Sequence, residues 1–83
     1  MKKERISELK SLFREYKFVE VTTYGWIKVS LYPLKYDAMG VVKLIEVLRL
    51  IQSLPDYKGT FDANVQQGLY DVVDDVYIDF EPK

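Results

Sequence analysis

Tyr24, Trp26 and Tyr32 share one parity of the stretch YGWIKVSLYPLKY, residues 24–36, while Ile27, Val29 and Leu31 share the other. In a strand those two sets fall on opposite faces. The aliphatic set makes an inward face, and the aromatic set then stands where water is expected. Rings displayed on a sheet do one of two kinds of chemistry. They stack on unpaired bases, or they anchor a protein partner, since Trp and Tyr dominate interface energetics. For base stacking, Lys28, Lys35 and Lys17 would supply the contacts to phosphate.

A second candidate is the acidic run DVVDDVYIDFE, residues 71–81. At helical spacing Asp71, Asp74 and Asp75 would lie together, a grouping that hard cations favour. The spacing matches neither an EF-hand loop nor a closed oxygen cage, so no metal site is assigned. The stronger reading joins Asp71, Asp74, Asp75 and Asp79 into an acidic patch that steers encounter with a basic or nucleic-acid-binding partner. A carboxylate pair such as Asp74 and Asp79 could do acid–base work in an enclosed pocket, but no pattern here points to one.

The chain has neither Cys nor His. That removes Ser-His-Asp and Cys-His catalysis, thiolate metal sites and disulfides. Gly25, Gly40, Gly59 and Gly68 stand apart from one another, so no phosphate-cradling glycine motif exists and no cofactor is expected. No catalytic residue is assigned. The net charge of −1 conceals an asymmetry: residues 1–55 hold ten Lys/Arg and six Asp/Glu, and residues 56–83 hold two and seven. A general phosphate-backbone binder would carry a basic excess.

The elements that position these residues follow from periodicity. Eighty-three residues, 48% hydrophobic and 30% charged, describe one folded domain, 1–83. Ile6, Leu9, Leu12, Phe13 and Tyr16 make a helical stripe over 3–16, with no strong N-cap before it. Strands are expected at 18–24 and 26–32, joined by a hairpin at Gly25, with Val21 opposite Val29 and Phe18 opposite Tyr32. Asp37 is a candidate N-cap for a helix running to about Leu54, stopped by Pro55. That helix is apolar around most of its circumference, with Lys43, Glu46, Arg49 and Ser53 as its polar stripe. It is therefore a core element, or half covered by a second copy of the chain. Residues 56–75 carry a helical stripe through Phe61, Val65, Leu69, Val72, Val73 and Val76. A helix is favoured there over a hairpin turning near VQQG, although Gly68 and the acids at its C-terminal end oppose it. The last segment, VYIDFE, reads as a strand.

The expected fold is α+β: a two-layer arrangement of a small, mainly antiparallel sheet with helices on one face, in the order α-β-β-α-α-β. Phe18, Tyr24, Trp26, Tyr32 and Tyr77 would occupy the uncovered face. The expected function is non-enzymatic protein binding through Tyr24, Trp26 and Tyr32, with Asp71, Asp74, Asp75 and Asp79 steering. This suits a small accessory or inhibitor protein of the kind that viruses and mobile elements encode. Single-stranded nucleic-acid binding by the same rings is the alternative. The N-terminal segment has no continuous apolar core, and Lys43, Glu46 and Arg49 interrupt the longest apolar stretch. A cytoplasmic protein without a secretory leader or membrane span is expected.

Overall fold

The computed structural model describes the backbone of residues 1–31, 38–67 and 73–83, and the side chains of residues 1–31, 40–58 and 77–83. Two helices and four strands follow in the order α1 (Lys3–Leu12), β1 (Val19–Val21), β2 (Ile27–Ser30), α2 (Ala38–Gln52), β3 (Tyr57–Gln67) and β4 (Val73–Pro82). The strands form one sheet in the order β1-β2-β4-β3, with every described pairing antiparallel. The α+β class is as expected.

The fifth element differs from expectation, since residues 57–67 form a strand and not a helix. The reason is visible in the residues. Tyr57, Gly59, Phe61, Ala63 and Val65 alternate with Lys58, Thr60, Asp62, Asn64 and Gln66, a period of two that outcompetes the sparser helical stripe. The register then places Phe61 opposite Phe80, Ala63 opposite Ile78 and Val65 opposite Val76. A register shift at Gln66/Gln67 pairs Gln66 with Asp75 and Gln67 with Val73, leaving Asp74 as the extra residue of a bulge. Gly68 and Asp71 lie outside the described residues.

α1 ends four residues earlier than the stripe suggested, because the chain tightens beyond Leu12. Arg14 N–H donates to Ser11 O at 3.3 Å and Tyr16 N–H to Phe13 O at 2.9 Å, both three-residue steps. Lys2 provides no side-chain cap, as expected. α2 ends through Ser53, whose N–H reaches Arg49 O and whose hydroxyl donates to Leu50 O at 2.6 Å, just before Pro55. Asp37, the expected cap of α2, lies outside the described residues.

The core sits between the helices and one sheet face. Ile6, Leu9 and Phe13 of the α1 segment, Val47 and Ile51 of α2, and Val21, Ile27, Val29, Tyr57 and Phe80 of the strands are buried together. α2 turns Val47 and Ile51 inward but leaves Val41, Val42 and Ile45 about half exposed, so its apolar girdle is only partly covered. No described helix is long and apolar enough to cross a membrane.

Two contacts fasten the ends of the chain to this core. Arg5 forks Asp56, in the connection from α2 to β3, with Nε–Oδ2 and Nη2–Oδ1 both 2.8 Å. The planar guanidinium matches the carboxylate in two parallel bonds, which fixes orientation as well as distance. Lys83 N–H donates to Asp56 O at 2.8 Å, continuing the β3–β4 pairing past Pro82.

Candidate functional site: the hairpin tip and the open sheet face

Both helices contribute to the buried side of the sheet, and the site lies on the other side and at the β1–β2 tip. Its geometry begins with the turn. Thr22 N–H donates to Trp26 O at 2.8 Å, Gly25 N–H donates to Thr22 O at 3.0 Å, and Trp26 N–H donates to Thr22 Oγ1 at 3.1 Å. Gly25 has φ +85°, so the loop Thr23–Gly25 is a three-residue turn that finishes on a left-handed residue. This placement corrects the expected register. Centring the turn on Gly25 had put Val21 opposite Val29. With Gly25 as the last loop residue, Val21 faces Ile27 and Val19 faces Val29. The slip is two residues, so every side chain keeps its face.

The turn is clamped from beneath. The buried Tyr57 hydroxyl donates to Gly25 O and lies 4.0 Å from Met1 Sδ. Burial, and secondarily the Asp56 carboxylate, pushes the Tyr57 phenol up to about 12, so it stays a donor at neutral pH. The tip is thus held rigidly while Tyr24, 81% exposed, projects from its crest.

On the open face the strand register lays out rows. Glu20, Lys28, Asp79 and Asp62 are successive cross-strand partners, and Ser30 stands opposite Tyr77. Trp26 precedes the Lys28 row on the same parity of β2 and is half-buried. Lys28 Nζ lies 4.1 Å from the centroid of the Tyr77 ring, a cation–π contact with its directly opposed neighbour Asp79 beside it. Lys58 Nζ and Glu81 Oε2, 2.8 Å apart, close the β3 end of the face. Rings and ions alternate here: Lys28 stands between Glu20 and Asp79 and Lys58 pairs with Glu81, while the register sets Asp62 opposite the like-charged Asp79.

Of the expected site residues, Tyr24 and Trp26 come together at the tip. Asp79 stands further along the face, opposite Lys28, two residues beyond Trp26. Tyr32 and Asp71 lie outside the described residues. Asp74 and Asp75 are placed on β4 by their backbone, with their side chains outside the described set. The helical spacing that would have gathered three carboxylates is replaced by a strand, in which consecutive residues alternate sides. Phe18 was expected on the open face. It packs instead against the core rim, edge-to-face with Tyr16 at 6.0 Å between ring centroids. Strand β1 starts only at Val19, so Phe18 still belongs to the turn and does not follow the strand's alternation. The pairing of Lys28 with Tyr77 was not foreseen, because it depends on β4 inserting beside β2, a non-local choice that neither segment encodes alone.

Among the described residues no group of three or more Asp or Glu is placed to hold a metal ion. In comparisons with protein-family models, curated proteins and solved structures, nothing matches this chain.

Proposed function

We propose that this chain is a non-enzymatic protein-binding module whose contact surface is the hairpin tip and the open sheet face. Tyr24 and Trp26 serve as anchors, and the carboxylates of β4, Asp74, Asp75 and Asp79, steer the encounter. Tyr32 and Asp71, expected contributors from sequence, belong to the same proposal. The observation that carries the reading is a sheet with its described helices on one side and a partly exposed Trp26 near the largely exposed Tyr24 on a hydrogen-bonded turn. Rigid aromatic anchors lose little conformational entropy on binding and exclude water well.

The charge pattern favours protein over nucleic acid. Lys28 is occupied by Tyr77 and flanked by Asp79 and Glu20, so this face offers little net attraction to a phosphate backbone. A cytoplasmic accessory or inhibitor role, of the kind viruses and mobile elements encode, suits a small domain whose sequence contains neither Cys nor His, and the partner would be a basic or nucleic-acid-binding protein.

The test is capture from the source cell with the intact chain and with Tyr24→Ala/Trp26→Ala as paired baits. A partner retained by the wild type and lost by the variant, with Glu15→Gln as an unaffected control, is the expected result. The same proteins recovered on all three baits would sink the reading. Steeply salt-dependent binding of an oligothymidylate, lost in Lys28→Gln, would replace it with the nucleic-acid alternative.

A further inference from the structure

On the helix side of the tip, α1 and the β1–β2 loop enclose a cleft of about 290 Å³ lined by Lys3, Ile6, Ser7, Lys10 and Thr23. Lys3, Ser7 and Lys10 are spaced four and three residues apart, which sets them in one stripe along the helix. The stripe borders the core stripe of Ile6, Leu9 and Phe13. Arg14 follows in the turn after the helix, so the basic line continues beyond it.

The acids of α1 lie elsewhere on its circumference. Glu8 is engaged by Arg5 at 3.0 Å, and among the described residues neither Lys3 nor Lys10 has an ion-pair partner. The Ser7 and Thr23 hydroxyls likewise have no side-chain partner among the described residues. The residues lining the cleft are therefore two lysines, a serine and a threonine, all exposed, around the buried Ile6, with no acidic residue among them. Such a lining repels cations and has donors in excess. A tetrahedral oxyanion satisfies several donors at once and relieves the like-charge stripe. Tyr24 follows the lining residue Thr23 in the chain and is 81% exposed.

We propose that this cleft binds a phosphate group, supplied either as the free anion or as the ester of a nucleotide whose base lies against Tyr24. The phosphate cleft is on the covered side of the sheet, and Tyr24 is the one residue it would share with the surface proposed above for a protein partner.

The test is an amide chemical-shift titration of the isotope-labelled intact chain near neutral pH, at constant ionic strength balanced with sodium chloride. The probes are inorganic phosphate and, separately, adenosine monophosphate. Saturable shifts at Lys3, Ser7, Lys10 and Thr23 are expected with millimolar affinity. The affinity should fall about tenfold or more in Lys3→Gln/Lys10→Gln, since two charge-assisted contacts are lost, and be retained in Lys3→Arg/Lys10→Arg. Equal affinity for the two probes would assign the free anion. Tighter binding of the nucleotide, with the Tyr24 resonance moving as well, would assign the ester. Shifts that chloride reproduces, shifts that never saturate, or equal affinity in Lys3→Gln/Lys10→Gln would each overturn the proposal. Failure here would leave the protein-binding reading standing, since the Lys3 and Lys10 variants keep Tyr24 and Trp26 in place and that reading is scored by a captured protein.

Discussion

At the scale of single residues, the tip depends on Gly25. Its φ of +85° lies in the left-handed region, and a Cβ placed there would sit 2.7 Å from Met1 Sδ. The Met1 side chain is flexible and can retreat, so backbone strain sets most of the cost. An L-residue pays about 1–2 kcal/mol in this conformation, and Asn pays less because its short amide tolerates it. The expected stability order is therefore wild type, then Gly25→Asn, then Gly25→Ala, with the Ala variant down by about 1–2 kcal/mol. Urea unfolding of the three proteins checks it, and an Ala variant as stable as the wild type would refute the turn geometry. This part of the site was legible in the sequence, because a lone Gly between two alternating runs signals a hairpin. Its place within the loop was not. Two- and three-residue turns both accept a Gly, and the Tyr57 hydroxyl that holds the observed turn reaches Gly25 O from 32 residues away, beyond any local pattern.

At the scale of elements, alternation and helical spacing decided what could be read. α1, β1, β2, α2 and β4 carry clean patterns and were found within a few residues of their ends. The segment 57–67 carries two patterns at once. Its strand pattern prevails because β4 supplies apolar partners for Phe61, Ala63 and Val65, which no local signal reveals. The paired strands also explain why the acidic residues are dispersed along β4 and not gathered on a helix face. Among the helices, α1 is short and has no side-chain cap, so its stability comes from docking. Leu9 is its fully buried contact. Leu9→Ala removes a buried isobutyl group and leaves a cavity, at a cost of about 3 kcal/mol, a large share of what a domain this small possesses. A matching drop in the denaturation midpoint with unchanged m-value is expected. A loss below about 1 kcal/mol would mean that α1 is not packed as described.

At the scale of the whole molecule, the clasps between distant parts of the chain are titratable, and they limit stability from both sides of neutrality. Hydrogen bonds from Arg5 hold the Asp56 carboxyl below its ordinary range against the opposing effect of burial, and Asp56 in turn holds the Arg5 guanidinium above its own. A carboxyl that is more acidic in the fold than in the unfolded chain adds stability above the unfolded value, and that contribution is lost as pH falls through the folded one. Tyr57 behaves in the opposite direction. Its phenol is raised from 10.0 to about 12, so its contribution is complete below about 10 and drains away as pH rises towards 12. Stability should therefore pass through a broad plateau around neutrality, with an acid limb weakened in slope by Asp56→Asn. The alkaline limb should be weakened by Tyr57→Phe, which also costs about 1–2 kcal/mol at neutral pH because Gly25 O loses its donor. Urea unfolding at a series of pH values checks both limbs, with phenolate absorbance following the alkaline one. If Tyr57→Phe kept the full alkaline slope, the phenol would not be the group that ties the tip to the core, and the rigidity attributed to Tyr24 and Trp26 as anchors would need another source.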